Sequence, residues 1–561
     1  MDHRQPSGAR VRFLSHSDAM MGLMGATTTH REPVLIGGGE LGRCPTRIHH
    51  SRFNDAERST NAVVEHRISE GRRWEETVAA QILEGHETWT TVSTVGDPFD
   101  RTAPVVIDPA IGTVGCEEIT LLLLRAGVPL IFGARISAPH LHSVGVPDLL
   151  VRLDDGYAPV DVKHHKVIGR RGVPSRLAAS DHLDDTGGAL QVFRSERIVD
   201  LLQVAHYWTL LDDLGYANPR RLAGIIGSEP AITCLWVDLA DGNPRLLDRY
   251  QTALEEAIAV VEIGRDQADA PLVPAIWRGE CRSCPWARFC RAELEGVDHV
   301  SLLPAIGASA TRQLIAAGVS TTTRMADLAP GTFVGDVEIS DEAILQARAR
   351  GAGTLLRRSG IDVTLPDAPV EIDFDVETYR GVLYLAGLLI TDADGSRYEP
   401  LADWTGTPDG ERRVLADLFA FFDDIAASND AVVYHWTGYE RTILTEAGER
   451  HGLSLQSAAS VDDWFDRYAC DLWAWTKQRF VSPNGYSLKV IAPLCGFDWR
   501  DDDPGGAQSE LWYVDLLNGA ESRRSRLLEY NEDDVAAQLA IRRWVRARWQ
   551  PPQLLYRALR N

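Results

Sequence analysis

The pattern of hydrophobic and polar positions changes its period along the chain, and each period predicts an element. Residues around Glu65–Leu83 read as a helix, followed by short apolar strands. Val146 to Leu153 reads as a strand, Asp154-Asp155-Gly156 is a hairpin turn signal, and Tyr157 to His164 reads as the return strand. From Glu196 to Leu214 the pattern is helical again. Val199, Leu201, Leu202, Val204, Trp208, Leu210 and Leu211 make that helix apolar on nearly all sides, so it should be largely buried. Val370 to Val376 opens a further strand, in which Asp373-Phe374-Asp375-Val376-Glu377 alternates acid with apolar. Period-two alternation puts the three acids on one face and Phe374 and Val376 on the core face. Val432 to Glu440 reads as a strand entering a helix, and a helix around Leu528–Arg546 closes the pattern.

These elements describe an α/β multidomain chain, since 561 residues are too many for one hydrophobic core. Residues 1–31, polar and rich in Gly and His, read as a loose, disordered N-terminal extension. A mixed α/β block follows over 32–295, then an Ala-, Gly- and Thr-rich, mostly helical block over 296–365. The proline-marked stretch Leu365-Pro366-Asp367-Ala368-Pro369 leads into a third block, 366–551, with a short tail at 552–561. No internal repeat is evident.

The formal net charge of −23 argues against passive binding of nucleic acid over the whole surface. A local basic channel can still steer it. Lys163-His164-His165-Lys166 with Arg170, Arg171 and Arg176 is a candidate, although the same run serves as well as a solvated loop. The eight cysteines, with no secretory signal and no membrane-spanning apolar run, place the expected setting in a reducing cytoplasm. There clustered cysteines favour metal over disulfide.

A tight turn at Asp154–Gly156 pairs residues whose numbers sum to roughly 310. Strict pairing then sets Asp148 opposite Val162, on the other face from Asp161 and Lys163, so a shared site requires a bulge or a one-residue offset. Given that offset, Asp148 and Asp161 would hold a hard divalent cation. Lys163 would orient or activate water and offset phosphate charge. Glu75, on the upstream helix, would add a third carboxylate. Gln203 and Tyr207 are four residues apart and share a face of the buried helix, where polar groups require partners. Each piece alone also reads as an ordinary hairpin, charged helix or structural glutamine. Cys44 stands before this set, and Cys281, Cys284 and Cys290 follow it as C-x2-C-x5-C. Cys116, Cys234, Cys470 and Cys495 lack partners at metal spacing and read as small core residues.

Asp148, Asp161-Val162-Lys163 and Gln203…Tyr207 resemble the PD-(D/E)xK core of RecB-type nucleases, over about 32–295. The flanking cysteines resemble the iron–sulfur version seen in AddB and in CRISPR-associated RecB-like exonucleases. The resemblance implies a restriction-endonuclease-like fold. Glu75, Asp148 and Asp161 would be its Mg²⁺ or Mn²⁺ ligands, and Lys163, Gln203 and Tyr207 its catalytic groups. It also implies a [4Fe–4S] cluster on Cys44, Cys281, Cys284 and Cys290 that staples the ends of the domain. Structural zinc is the alternative, since four thiolates also suit it, but the long separation of Cys44 from the triplet favours the cluster. Trp74 stands where many relatives carry a metal-binding histidine, and tryptophan cannot ligate a metal.

In the middle block, Leu303 to Thr311 precedes a helix and Gly318-Val319-Ser320-Thr321 opens another. This is similar to a helix–hairpin–helix unit, which offers backbone N–H groups to a DNA phosphate. Gly307 would permit its tight turn. A plain two-helix packing unit is the other reading.

In the third block, three like charges on one strand face repel unless a cation sits among them. Asp375 and Glu377, then Glu440 after an aromatic, then Tyr530 and Asp534 four residues apart resemble the DEDD exonucleases with an RNase H-like fold, over about 370–548. The resemblance makes Asp375, Glu377, Glu440 and Asp534 ligands of two Mg²⁺ or Mn²⁺ ions and Tyr530 the water-orienting group. Glu440 stands where Asp is usual, His435 stands where Asn is usual, and Asp373 is a spare acid. Both halves together resemble predicted RecB-family nucleases with a C-terminal RNase H-like domain.

The expected function is that of a metal-dependent nuclease hydrolysing DNA, as an exonuclease on single-stranded ends in repair or defence, with RNA as an alternative substrate. Two further readings stand beside it. In one, only the C-terminal centre is active, on DNA or RNA. In the other, the chain is a non-catalytic iron–sulfur DNA-binding scaffold for a helicase. There is no Gly-x4-Gly-Lys-Ser/Thr loop, so ATP-driven unwinding would come from a helicase partner. No membrane partner is expected.

Overall fold

The computed structural model describes residues 33–55, 62–153, 156–180, 182–242, 244–268, 271–335, 337–428, 430–501 and 506–549. The N-terminal extension 1–31, the turn residues Asp154 and Asp155, and the tail 552–561 lie outside them. The chain forms two compact units, Met1–Ala275 with Cys284–Trp286, and Ile276–Ser283 with Ala287–Asn561. Among the described residues no helix is long and apolar enough to cross a membrane.

In the first unit α1 (Pro45–Phe53) and α2 (Ala62–Glu84) precede a mixed sheet. Its strands are β1 (Thr90–Val92), β2 (Val105–Ile107), β3 (Leu130–Phe132), β4 (Leu149–Leu153), β5 (Gly156–Val162), β6 (Gly172–Ala179), β7 (Leu190–Arg194), β8 (Leu222–Ile226) and β9 (Thr233–Asp238). Helices α3 (Gly112–Ala126) and α4 (Ile198–Asp213) interrupt the series, and α5 (Leu246–Asp266) follows it. Among the described residues the spatial order is β7-β6-β9-β8-β5-β4-β3-β2-β1. Alternation along β5 sorts the layers. Ala158, Val160 and Val162 pack with Val78, Ala79 and Ile82 of α2, whereas Tyr157 packs with Leu210 and Leu211 of α4 on the other side.

The β4–β5 hairpin settles the register. Leu149 pairs with Val160 and Leu153 with Gly156, one residue lower than strict pairing of Asp148 with Val162 requires. The offset, and not a bulge, brings Asp148 beside Asp161.

In the second unit the helices α6 (Ala287–Gly296), α7 (Ala308–Ala316), α8 (Thr322–Ala326) and α9 (Asp341–Ala352) come first. Val300, Leu314, Met325 and Ile344 belong to one core shared by α7, α8 and α9. Gly307 caps α7 with ordinary extended backbone (φ −80°), and a Cβ there would meet nothing, so the turn does not depend on glycine. The positive φ, +87°, falls at Gly318, between α7 and α8.

A five-stranded sheet follows: β10 (Val370–Tyr379), β11 (Val382–Asp392), β12 (Gly395–Ala402), β13 (Ala431–His435) and β14 (Ala469–Asp471). It is ordered β12-β11-β10-β13-β14. The first three strands in sequence are antiparallel, and β13 and β14 continue parallel to β10. The helices are α10 (Pro408–Ser428), α11 (Tyr439–His451), α12 (Val461–Tyr468), α13 (Leu472–Arg479), α14 (Leu488–Leu494), α15 (Gly506–Leu517) and α16 (Arg523–Trp549).

One face of β10, with Ile372, Phe374 and Val376, packs on Leu418 and Phe422 of α10 and on Trp464 and Phe465 of α12. Phe422 and Trp464 stack with centroids 4.1 Å apart. The other face carries Glu371, Asp373, Asp375 and Glu377 and is covered by α16. Gln538 donates to the Phe374 carbonyl at 3.0 Å. Arg542, fully buried, donates to both oxygens of Asp373 at 2.9 and 2.6 Å and to Glu371 at 2.5 Å. Arg546 pairs with Glu371 as well. Asp373 is therefore a structural ion-pair partner and not a spare metal ligand.

Removing one partner of a buried ion pair leaves the other uncompensated. Arg542→Met is expected to cost the second unit about 3–5 kcal/mol, and Asp373→Asn added to it should recover part of the loss. Urea unfolding of both variants measures this, and an unshifted transition in Arg542→Met would contradict it.

Candidate metal centres

In the first unit, Asp161 and Lys163 point from β5 and the residue after it toward α4. Asp161 is 2 % exposed and is ion-paired with Lys163. Lys163 Nζ donates to Gln203 Oε1 at 3.0 Å, and Gln203 Nε2 donates to Asp161 Oδ1 at 3.2 Å and to the Tyr207 hydroxyl at 2.8 Å. The buried polar pair on the apolar helix thus takes its partners from the acid–lysine strand. Asp148 Oδ2 accepts from the Val162 amide at 2.7 Å. Glu75 and Asp148 line one small cavity with Val78, Phe132 and Val162.

The electrostatics follow from this crowding. Burial, then the charges of Asp161 and Glu75, push the Asp148 carboxyl well above its ordinary range. Burial works against the charge on Lys163, but Asp161, Asp200 and Asp148 outweigh it and hold the ammonium. Burial and the Asp161 charge keep the Tyr207 hydroxyl protonated. Trp74 packs its ring 6.0 Å from the ring of His164.

One residue here had no signal in the sequence. Asp200, buried on α4, meets His165 Nε2 at 2.9 Å. Burial would raise its carboxyl, but His165 and Lys163 hold it below the ordinary value.

The cysteines divide between the units. Cys44 caps α1, and Cys284 belongs to the same unit. Two residues on, Trp286 donates Nε1 to Ser51 Oγ of α1 at 3.1 Å and packs 5.4 Å from His50. Cys281 and Cys290 belong to the second unit. Cys116 and Cys234 are core residues, 1 % and 0 % exposed, while Cys470 and Cys495 are partly buried at the edge of a core.

In the second unit, Asp375, Glu377 and Asp534 converge. Each offers an oxygen within 4.8 Å of the others, and among the described residues this is the group that meets that measure. Asn531 Nδ2 donates to Asp375 Oδ2 at 2.9 Å, and Tyr398 holds the Asn531 oxygen at 2.8 Å. This reach is available because Asp375 pairs with Gly387 on β11. A Cβ at Gly387 would lie 1.6 Å from Asn531 Oδ1. Ser509 on α15 donates to Glu377 Oε2 at 2.7 Å. Asp534 Oδ1 accepts from Trp499 Nε1 at 2.8 Å and from the Lys489 ammonium. Lys489 lies 4.7 Å from the Tyr530 ring centre and 4.5 Å from that of Trp499. Glu440, 2 % exposed, stands 3.4 Å from His435 Nδ1.

Burial and the Glu377, Asp534 and Glu440 charges push Asp375 well above the carboxylate range. Burial and Asp534 push Glu377 up to about 8. Burial raises Asp534 against the opposing pull of Lys489. Burial, and then Asp534, keeps the Tyr530 hydroxyl protonated. Buried oxygen donors that resist ionising together suit a hard divalent cation, which lifts that penalty. Lys489, Asn531, Ser509 and Trp499 were not predicted as site residues. The readable signal was the spacing of Asn531, Asp534, Gln538 and Arg542 on one helix face.

Residues 372–546 match the family model described as the RNase_H superfamily. No curated protein matches the chain. The C-terminal region therefore carries an RNase H-like domain, a fold of metal-dependent, nucleic-acid-processing nucleases, and its substrate class is nucleic acid.

A carboxyl raised by folding favours the folded state while protonated. Glu377 contributes fully below its ordinary value of 4.5, and the contribution is lost as pH rises through about 8. The metal-free protein is therefore expected to lose stability across that window, and Glu377→Gln should flatten the decline. Thermal unfolding in chelator from pH 4.5 to pH 8 tests it, and an equally steep profile for Glu377→Gln would contradict it.

Proposed function

We propose that the protein is a metal-dependent nuclease that hydrolyses phosphodiester bonds at its C-terminal centre, acting on single-stranded DNA ends. The observation that carries this reading is the convergence of Asp375, Glu377 and Asp534 in an RNase H-like domain. These three acids hold the cation, with Glu440 as a further candidate ligand. A bound Mg²⁺ or Mn²⁺ supplies Lewis-acid polarisation and lowers the pKa of water. Asn531 and Ser509 fix the orientations of Asp375 and Glu377. Tyr530, kept protonated, orients water by hydrogen bonding and does not serve as the base.

The first unit is proposed as a second hydrolytic centre of the RecB-like kind, with Glu75, Asp148 and Asp161 as cation ligands. Lys163, held as an ammonium by three carboxylates, offsets phosphate charge there. Gln203 and Tyr207 set its position. The alternative, in which only the C-terminal centre cleaves, is favoured by Trp74 beside Glu75.

Asp375→Asn and Asp161→Asn separate the two readings on end-labelled single-stranded DNA and RNA with Mg²⁺ or Mn²⁺. Loss of one member of an electrostatic catalytic set costs about 10²–10³-fold, and adding Asp375→Asn to Asp161→Asn is expected to lose at least that much. If cleavage survives it undiminished, the C-terminal assignment fails. Unchanged cleavage in Asp161→Asn assigns the activity to the C-terminal centre alone.

Cys44, Cys281, Cys284 and Cys290 are proposed to bind a [4Fe–4S] cluster that staples the RecB-like region. The docking of Trp286 on α1, directly after Cys44, supports a structural tie at this point. Anaerobically purified protein is expected to be brown and to contain iron, and Cys284→Ala should lose both colour and iron. Zinc in place of iron in the parent would replace the cluster with a tetrahedral site.

A further inference from the structure

Resting on the C-terminal metal centre proposed above, we infer that this centre takes one divalent cation and not a pair, with the Lys489 ammonium supplying the remaining positive charge. A two-ion clamp sets its ions about 3.5–4 Å apart, so each ion needs donors of its own. The convergent set here is a single group of three oxygens, from Asp375, Glu377 and Asp534. Glu440, the acid that would extend the set, stands outside it beside His435, and both side chains are 2 % exposed.

Positive charge is already built in on the Asp534 side. Lys489 bonds Asp534 Oδ1 and is flanked by two aromatic faces, Tyr530 and Trp499. An ammonium held against aromatic faces is stabilised where it sits, so Lys489 is a fixed charge and not a mobile surface lysine. Its field reaches Asp375 and Glu377 too, where it opposes the mutual repulsion of the acids. The partners of those two acids, Asn531 and Ser509, are neutral. One divalent ion therefore meets the pair that the lysine does not bond, Asp375 and Glu377, and shares Asp534 with the lysine. A second ion would have to approach past the ammonium or draw on Glu440, which lies outside the convergent group, buried beside His435.

The test counts ions in the full-length chain carrying Asp148→Asn and Asp161→Asn, so that the first centre does not contribute. Mn²⁺ is titrated by calorimetry and by the paramagnetic resonance of free and bound ion. One Mn²⁺ per chain is expected, with no spin-coupled pair signal, and adding Asp375→Asn should abolish it. Adding Lys489→Met should raise the count to two and bring up the coupled signal, with Lys489→Gln as a second variant if the first does not fold. Two ions in the Lys489 parent, or one ion in both lysine variants, would overturn the inference. No Mn²⁺ in the parent would remove the C-terminal metal centre itself, and this inference with it.

Discussion

Four carboxylates on one face of one strand cannot all stay ionised in a protein interior unless positive charge is brought to them. Strand β10 carries such a row, from Glu371 to Glu377, and the second unit is arranged around that constraint. Arg542 and Arg546 meet the first two acids, which anchors α16 along the strand. Anchored there, α16 carries Asn531 and Asp534 to the last two. The half of the row that is neutralised by arginine is architecture. The half left without it is the site.

The first unit meets the same difficulty by another route. Asp148, Asp161 and Lys163 come from the two strands of one hairpin and the residues next to them, and a neutral relay through Gln203 and Tyr207 joins Asp161 and Lys163 to a largely apolar helix. A buried glutamine there satisfies three groups of different character at once. This explains why a polar pair is tolerated on a helix that has no solvent face.

Much of this was legible in the residue pattern because alternation and helical spacing are short-range rules. The acid–apolar alternation from Asp373 to Glu377 placed Phe374 and Val376 in the core, where they are found. The spacing of Gln203 and Tyr207 placed both on one face. What sequence could not supply was the identity of long-range partners. Asp373 reads like Asp375, and only the position of Arg542, 169 residues away, distinguishes them. The stripe Asn531, Asp534, Gln538 and Arg542 resembles a solvated helix face, yet Asn531, Gln538 and Arg542 are 0 % exposed. Polarity alone does not tell a wet face from one that is buried against acids. The hairpin register was one residue off because a sum of roughly 310 sets Leu153 opposite Tyr157, with three residues in the turn, whereas Leu153 pairs with Gly156.

Gly387 lies on the strand next to the acids and touches no cation. Its hydrogen atom leaves the space in which the Asn531 oxygen sits, and a methyl group would fill that space. The centre therefore has a point of failure outside its own inventory of ligands. In a lineage free to vary, every acid could persist while an alanine at this strand position silently detached Asn531 from Asp375. Retention of the carboxylates would then be a poor guide to whether a descendant still works, and this unreactive backbone position would be the better one.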